Sequence, residues 1–232
     1  MKKHIPNSIT CCNLISGCIA ITFALYSEQQ MALLWIVIGA VFDFFDGMTA
    51  RLLHVSSPIG KELDSLADVV TFGLAPSDML FFQLGIIDYP SVLEPLRGVL
   101  PYSAFLMAAF SALRLAKFNL DERQTTSFIG LPTPANALFW GALIVGGSHW
   151  IESTKWMLPA LLLMLLVSCW LLVSELPMFA LKFKQWGWKG NEVKYLFVAT
   201  SAVLLVVFRT PGIALVISWY VLLSIVCRKC SS

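Results

Sequence analysis

Four aspartates, Asp43, Asp46, Asp64 and Asp68, stand inside or at the lips of apolar stretches, in the run DFFDGMTARLLHVSSPIGKELDSLAD at residues 43–68. A carboxylate at membrane depth costs on the order of 3 kcal/mol on translocon-based scales. Four so close together repel one another unless something positive neutralises them. The simplest neutraliser is a divalent cation, so the segment reads as a metal-dependent active site at a membrane surface. Oxygen-only ligation, with no His or Cys at ligand spacing, suits Mg²⁺ or Mn²⁺ rather than zinc. Four carboxylates exceed what one Mg²⁺ usually takes from protein, so two ions are expected.

The spacing says how the four meet. Asp43 and Asp46 are at i and i+3, Asp64 and Asp68 at i and i+4, and both spacings put side chains on one helix face. Ser56-Ser57-Pro58 between them is a turn signal that returns the second helix antiparallel to the first. Gly47 and Ala50 leave room beside the carboxylates for a bulky ligand, and a mid-helix Gly costs about 1 kcal/mol relative to Ala. Arg51, one helical turn from Gly47, is placed to pair with a phosphate.

The elements that must hold these residues are membrane helices. The chain has 232 residues, 58% hydrophobic and 13% charged, too little polar surface for a soluble domain. The expected fold is an all-α, polytopic membrane bundle forming one domain over 1–232. Eight spans are expected, at 8–26, 31–53, 61–86, 97–118, 132–149, 156–175, 194–209 and 212–227. The last two are short and joined at Pro211-Gly212; two spans are preferred over a re-entrant pair. MKKH before an apolar stretch resembles a signal peptide, but Asn13, Ser16 and the lack of a small-residue cleavage site favour a retained first span.

With the N-terminus inside, thirteen of the sixteen Lys and Arg residues fall on one side; Arg97, Lys155 and Arg209 fall on the other. This bias places the aspartates at the cytoplasmic face of the inner membrane, with a basic rim suited to anionic lipid headgroups. No nucleic-acid partner is expected. Six cysteines include a Cys227/Cys230 pair that no second pair completes, so they read as free thiols. His54 and His149 read as interfacial residues, and Trp150, Trp156, Trp186 and Trp188 as an aromatic belt.

At the aspartates the sequence resembles the CDP-alcohol phosphatidyltransferase family. That signature, D-x-x-D-G-x-x-A-R, eight residues, then G-x-x-x-D-x-x-x-D, is met in full by Asp43, Asp46, Gly47, Ala50, Arg51, Gly60, Asp64 and Asp68. IPNSITCCNLISG, SLADVVTFGLAPS, ALRLAKFN and FIGLPTPAN are similar to its membrane-embedded bacterial branch that makes phosphatidylserine. The resemblance implies a six-helix catalytic core and transfer of the phosphatidyl group of CDP-diacylglycerol to the hydroxyl of L-serine, releasing CMP. It implies that Asp43, Asp46 and Asp64 hold the metals, that Asp68 shares a ligand position and acts as general base, and that the protein is a homodimer. It further implies that Asp43, Gly47, Ala50, Arg51 and Gly60 surround the CDP moiety, with Pro6, Asn7 and Thr10 closing over it.

An amino-acid acceptor needs a cation for its carboxylate, and Arg pairs with it bidentately. Arg114 is the first candidate and Lys117 the second, though both also serve as positive-inside anchors. Asn119 and Asn136 read as structural, and Gly130–Pro134 as the opening of the fifth span, with an equal claim to shape the acceptor pocket. The alternatives are a sibling enzyme using glycerol 3-phosphate or an inositol phosphate, and a cation or proton transporter. Transport needs polar residues continuing across the bilayer, and beyond Asp68 only Thr71, Ser77 and Asp78 do so.

Overall fold

The computed structural model describes residues 4–55, 57–120, 128–154, 156–178, 187 and 191–226. Expectations resting on Lys2, Lys3, Arg123, Lys155, Lys182, Lys184, Lys189, Arg228 and Lys229, on Cys227 and Cys230, and on Trp186 and Trp188 lie outside these residues.

Two long helices open the chain, α1 (His4–Leu25) and α2 (Gln29–Leu52), reversing at Ser27, whose φ is 67°. Ser57 then caps α3 (Pro58–Asp68): its Oγ accepts from Gly60 N at 3.0 Å, and Pro58 sits where its missing N–H is not needed. The helix does not end at Asp68. It widens to π geometry over Val69–Leu74 and resumes as α4 (Ala75–Ile86), a continuous rod from Pro58 to Ile86. Pro76 supplies the reason. It has no N–H for the preceding turn, and its ring would crowd the carbonyl four residues back. Widened turns just before it relieve both problems.

The expected span at 97–118 needs correction. Arg97 sits in a turn and pairs with Glu94 at 3.0 Å; Leu100–Phe105 is a 3₁₀ segment, and α5 covers only Leu106–Leu120. Pro95 and Pro101 stand where a longer helix would have to pass, each lacking the donor that it requires. The remaining rods are α6 (Thr133–Ser153), α7 (Met157–Val173), α8 (Glu192–Phe208) and α9 (Thr210–Val226). A two-residue antiparallel pair, β1 (Phe128–Ile129) with β2 (Pro177–Met178), ties the start of α6 to the end of α7.

The eight helical rods among the described residues correspond in order to the eight expected segments. Three, α1, α2 and Pro58–Ile86, are long and apolar enough to cross a membrane, and α7 and α9 are shorter apolar helices. The last two rods form an antiparallel hairpin, with Trp219 Nε1 donating to Thr200 Oγ1 at 3.0 Å and Tyr220 against Phe197. Leu163, Leu166 and Trp170 on α7 and Val203, Val206 and Val207 on α8 point outward. A soluble monomer does not expose patches of this kind; the chain is an all-α membrane bundle.

The core lies between α1, α2, α4, α6 and α7 and includes Ile36, Phe72, Met79, Trp140 and Leu161. Trp140 satisfies its indole N–H on Ser168 Oγ at 3.1 Å. Close approach of α1, α2 and the π segment depends on small residues. Thr71 fills the space that a Cβ would take at both Gly17 and Gly39.

Candidate active site

Three helices bring the expected residues together. The C-terminal half of α2 carries Asp43, Asp46, Gly47, Ala50 and Arg51; α3 carries Gly60, Asp64 and Asp68; the first turns of α1 carry Asn7 and Thr10. Asp43, Asp64 and Asp68 each offer a carboxylate oxygen, and the three oxygens lie within 4.8 Å of one another. Asp46, 6% exposed, turns to α1 instead: Thr10 Oγ1 donates to its Oδ2 at 2.6 Å. It stays close enough for its charge to act on Asp43, Asp64 and Asp68.

Asp46 and Asp64 connect this cluster to an open groove of about 270 Å³. Asn7, Thr10, Gly47, Ala50 and Gly60 line it, with Pro6 and Lys61. The two glycines differ in what they do. A Cβ at Gly47 would meet nothing nearer than Arg51 Nη2 at 4.0 Å, so the glycine keeps the groove floor low and Arg51 reaches back above it. A Cβ at Gly60 would come within 2.9 Å of Ser57 Oγ and 3.1 Å of Asn7 Oδ1, so this glycine lets α1 close on the cap of α3.

Arg114, on α5, is not among the residues that line the groove. It is 8% exposed, donates from Nη1 to Thr133 Oγ1 at 3.4 Å, and holds its guanidinium 5.4 Å from the Phe118 ring centre. The charge of Asp68 acts on it, and its Nε has no hydrogen-bond partner among the described residues. Ser111 and Asn136 are likewise buried with unpartnered polar side-chain atoms. Lys117 is exposed on the last turn of α5. Asn119 makes inter-helix hydrogen bonds. Its amide donates to Ser65 Oγ and its carbonyl accepts from Lys61 Nζ, both at 2.8 Å, tying α3 to α5. The GLPTP segment turns at Gly130, φ 75°, where a Cβ would strike the carbonyls of Leu172 and Ser174, and it delivers Thr133 to Arg114.

Two residues near the cluster are not site candidates from sequence by themselves. Thr133 belongs to Gly130–Pro134, a segment that reads as helix-start chemistry with an equal claim to shape the acceptor pocket. Asn13, whose Nδ2 donates to Asp68 Oδ1 at 3.2 Å, lay inside an apolar run. Its spacing from Thr10, three residues along one helix face, is the signal that would have found it.

The donor set fits a hard divalent cation. It is all oxygen, buried or half-buried, with three like charges in contact and no Lys or Arg in ion-pair contact with any of them among the described residues.

A family model for CDP-alcohol phosphatidyltransferases matches residues 3–186. The chain belongs to that family. Its members generally depend on a divalent metal, and Asp43, Asp64 and Asp68 form an acidic group able to bind one. The match takes in every residue of the cluster and the groove and stops short of α8 and α9. Among curated relatives, the CDP-diacylglycerol–serine O-phosphatidyltransferase of Bacillus subtilis is 43% identical over 132 residues, 57% of this chain and 70% of the relative. The enzyme of the same name from Helicobacter pylori is 31% identical over 211 residues, 89% of this chain and 82% of its own. That of Methanocaldococcus jannaschii is 36% identical over 149 residues, covering 64% and 62%.

Proposed function

We propose that the chain transfers the phosphatidyl group of CDP-diacylglycerol to the hydroxyl of L-serine, releasing CMP. The observation that carries this reading is the meeting of Asp43, Asp64 and Asp68 beside a groove lined by Asp46, Gly47, Ala50 and Gly60 of the family signature. The relatives' shared name supports serine as acceptor.

In this reading Asp43, Asp46, Asp64 and Asp68 hold the divalent ions, two Mg²⁺ or Mn²⁺. Ions bound there polarise phosphoryl oxygens and offset charge on the departing nucleotide. The CDP moiety lies in the groove over Gly47, Ala50 and Gly60, under Pro6, Asn7 and Thr10, with Arg51 against its phosphates. A serine hydroxyl is a poor nucleophile at neutral pH, so Asp68 takes its proton as the new P–O bond forms. The P–O bond to CMP breaks, and its electron pair leaves with CMP.

Arg114 receives the serine carboxylate. Among the described residues it is the one buried Lys or Arg, the charge of Asp68 acts on it, and its Nε is free to donate. Exposed Lys117 is the lesser candidate. A single cation suits a carboxylate better than the phosphate of glycerol 3-phosphate or an inositol phosphate, which calls for a denser basic pocket. We further propose one domain over residues 1–232, a homodimer among membrane lipids in the inner membrane, and a site facing the cytoplasm; the basic residues at helix ends support that orientation.

The acceptor panel tests the reading. Purified protein with CDP-diacylglycerol and Mn²⁺ or Mg²⁺ should release CMP with L-serine and not with glycerol 3-phosphate, glycerol or inositol phosphate. Release driven by a phosphorylated acceptor, and not by serine, would move the chain to a sibling activity.

A further inference from the structure

Asn13 is fully buried in the middle of α1, one turn beyond Thr10. An amide at such a position is expensive unless its hydrogen bonds are used. Asn13 uses one: Nδ2 donates to Asp68 Oδ1 at 3.2 Å, while its own Oδ1 has no partner among the described residues. The opposite orientation of the amide would set two acceptors against each other, so the chemistry fixes which end faces the carboxylate.

The backbone beneath it is pinned as well. Thr71 Oγ1 donates to the Asn13 carbonyl at 2.9 Å, from the π segment that begins directly after Asp68. Gly17 and Gly39 flank this contact, and a Cβ at Gly39 would come within 3.0 Å of Asn13 Oδ1. Asn13 is thus held at two points by the stretch that carries Asp68, its side chain on Asp68 and its carbonyl on Thr71. An isolated carboxylate turns freely about its last torsion, whose wells are broad. A donor fixed to another helix removes that freedom.

We propose that Asn13 is a positioning residue for Asp68: its amide N–H holds one carboxylate oxygen and so aims the other at the acceptor hydroxyl. This rests on the reading of Asp68 as the base. A base misplaced by about 1 Å loses roughly 100-fold in rate. Removal of the amide should therefore lower kcat and leave donor binding intact.

The test uses the full-length protein in detergent with CDP-diacylglycerol, L-serine and Mn²⁺, comparing wild type, Asn13→Ala, Thr71→Val and Asp68→Asn. Each is followed by kcat, KM for both substrates, donor-binding stoichiometry and thermal midpoint. Asn13→Ala should lose roughly 10- to 100-fold in kcat per donor-binding site, with KM for CDP-diacylglycerol within about twofold of wild type. Thr71→Val, which keeps the Asn13 side chain and loosens its backbone, should lose a few-fold in kcat in the same pattern. A packing role alone would lower the thermal midpoint and the number of binding sites while kcat per site held, and that result overturns the proposal. Should Asn13→Ala fail to fold, wild-type kcat in Thr71→Val overturns it. An inactive Asp68→Asn beside fully active Asn13→Ala and Thr71→Val rejects Asn13 alone; an active Asp68→Asn rejects the base itself.

Discussion

The Thr10 hydroxyl donates a 2.6 Å hydrogen bond to Asp46 Oδ2 across 36 residues of chain. This contact latches α1 onto α2 at the wall of the groove, through the one signature aspartate outside the Asp43, Asp64 and Asp68 group. A hydrogen bond to a charged group contributes about 1.5–3 kcal/mol. Thr10→Val keeps the shape and removes the donor. CDP-diacylglycerol should bind about tenfold or more weakly to this variant, measured by titration of the purified protein. Unchanged affinity would mean that the latch has no part in closing the groove.

Gly47→Ala and Gly60→Ala should fail in different ways. The methyl at Gly47 enters open groove space, so donor KM should rise with little change in thermal midpoint. The methyl at Gly60 meets Ser57 Oγ and Asn7 Oδ1, so the thermal midpoint should fall, on the scale of about 1–3 kcal/mol of overpacking. Kinetics and melting of both variants side by side check the assignment. Matching behaviour would remove the distinction drawn between them.

Asp43→Asn and Asp64→Asn each remove one charge from the cluster of three. The Mn²⁺ concentration needed for half-maximal activity should rise roughly 10- to 100-fold or more, or activity should vanish. Metal titration of CMP release reads this directly. An unchanged midpoint in both variants would count against metal ligation.

Arg114→Ala should raise KM for serine at least about tenfold, as expected for loss of a charge-assisted hydrogen bond, with CDP-diacylglycerol affinity near wild type. Substrate-by-substrate kinetics separate the two effects. Equal loss for both would reassign Arg114 to holding Thr133 and the start of α6.

Much of this site is legible in the amino-acid sequence because helical spacing carries it. Asp64 and Asp68 project within about 40° of each other around a helix, and the π segment begins only after them. Asp43 and Asp46 project about 60° apart. Asp43 joins the α3 carboxylates while Asp46 meets Thr10, and no count of carboxylates distinguishes the two. Hydropathy locates the helical rods but carries no information about backbone donors. It runs a helix through Pro101, where a 3₁₀ segment stands, and gives no sign of the widening before Pro76. Asn13 was hidden because one polar residue in an apolar helix reads as tolerated. Its meaning lies in a partner 55 residues away.

The most direct measurement is a two-product assay with L-serine, CDP-diacylglycerol and Mn²⁺, counting CMP and phosphatidylserine for wild type and Asp68→Asn. Wild type should yield the two products one to one, only when serine is present. Asp68→Asn should lose at least about 100-fold while still binding the donor. CMP release independent of serine, or an Asp68→Asn variant as active as wild type, would contradict the account.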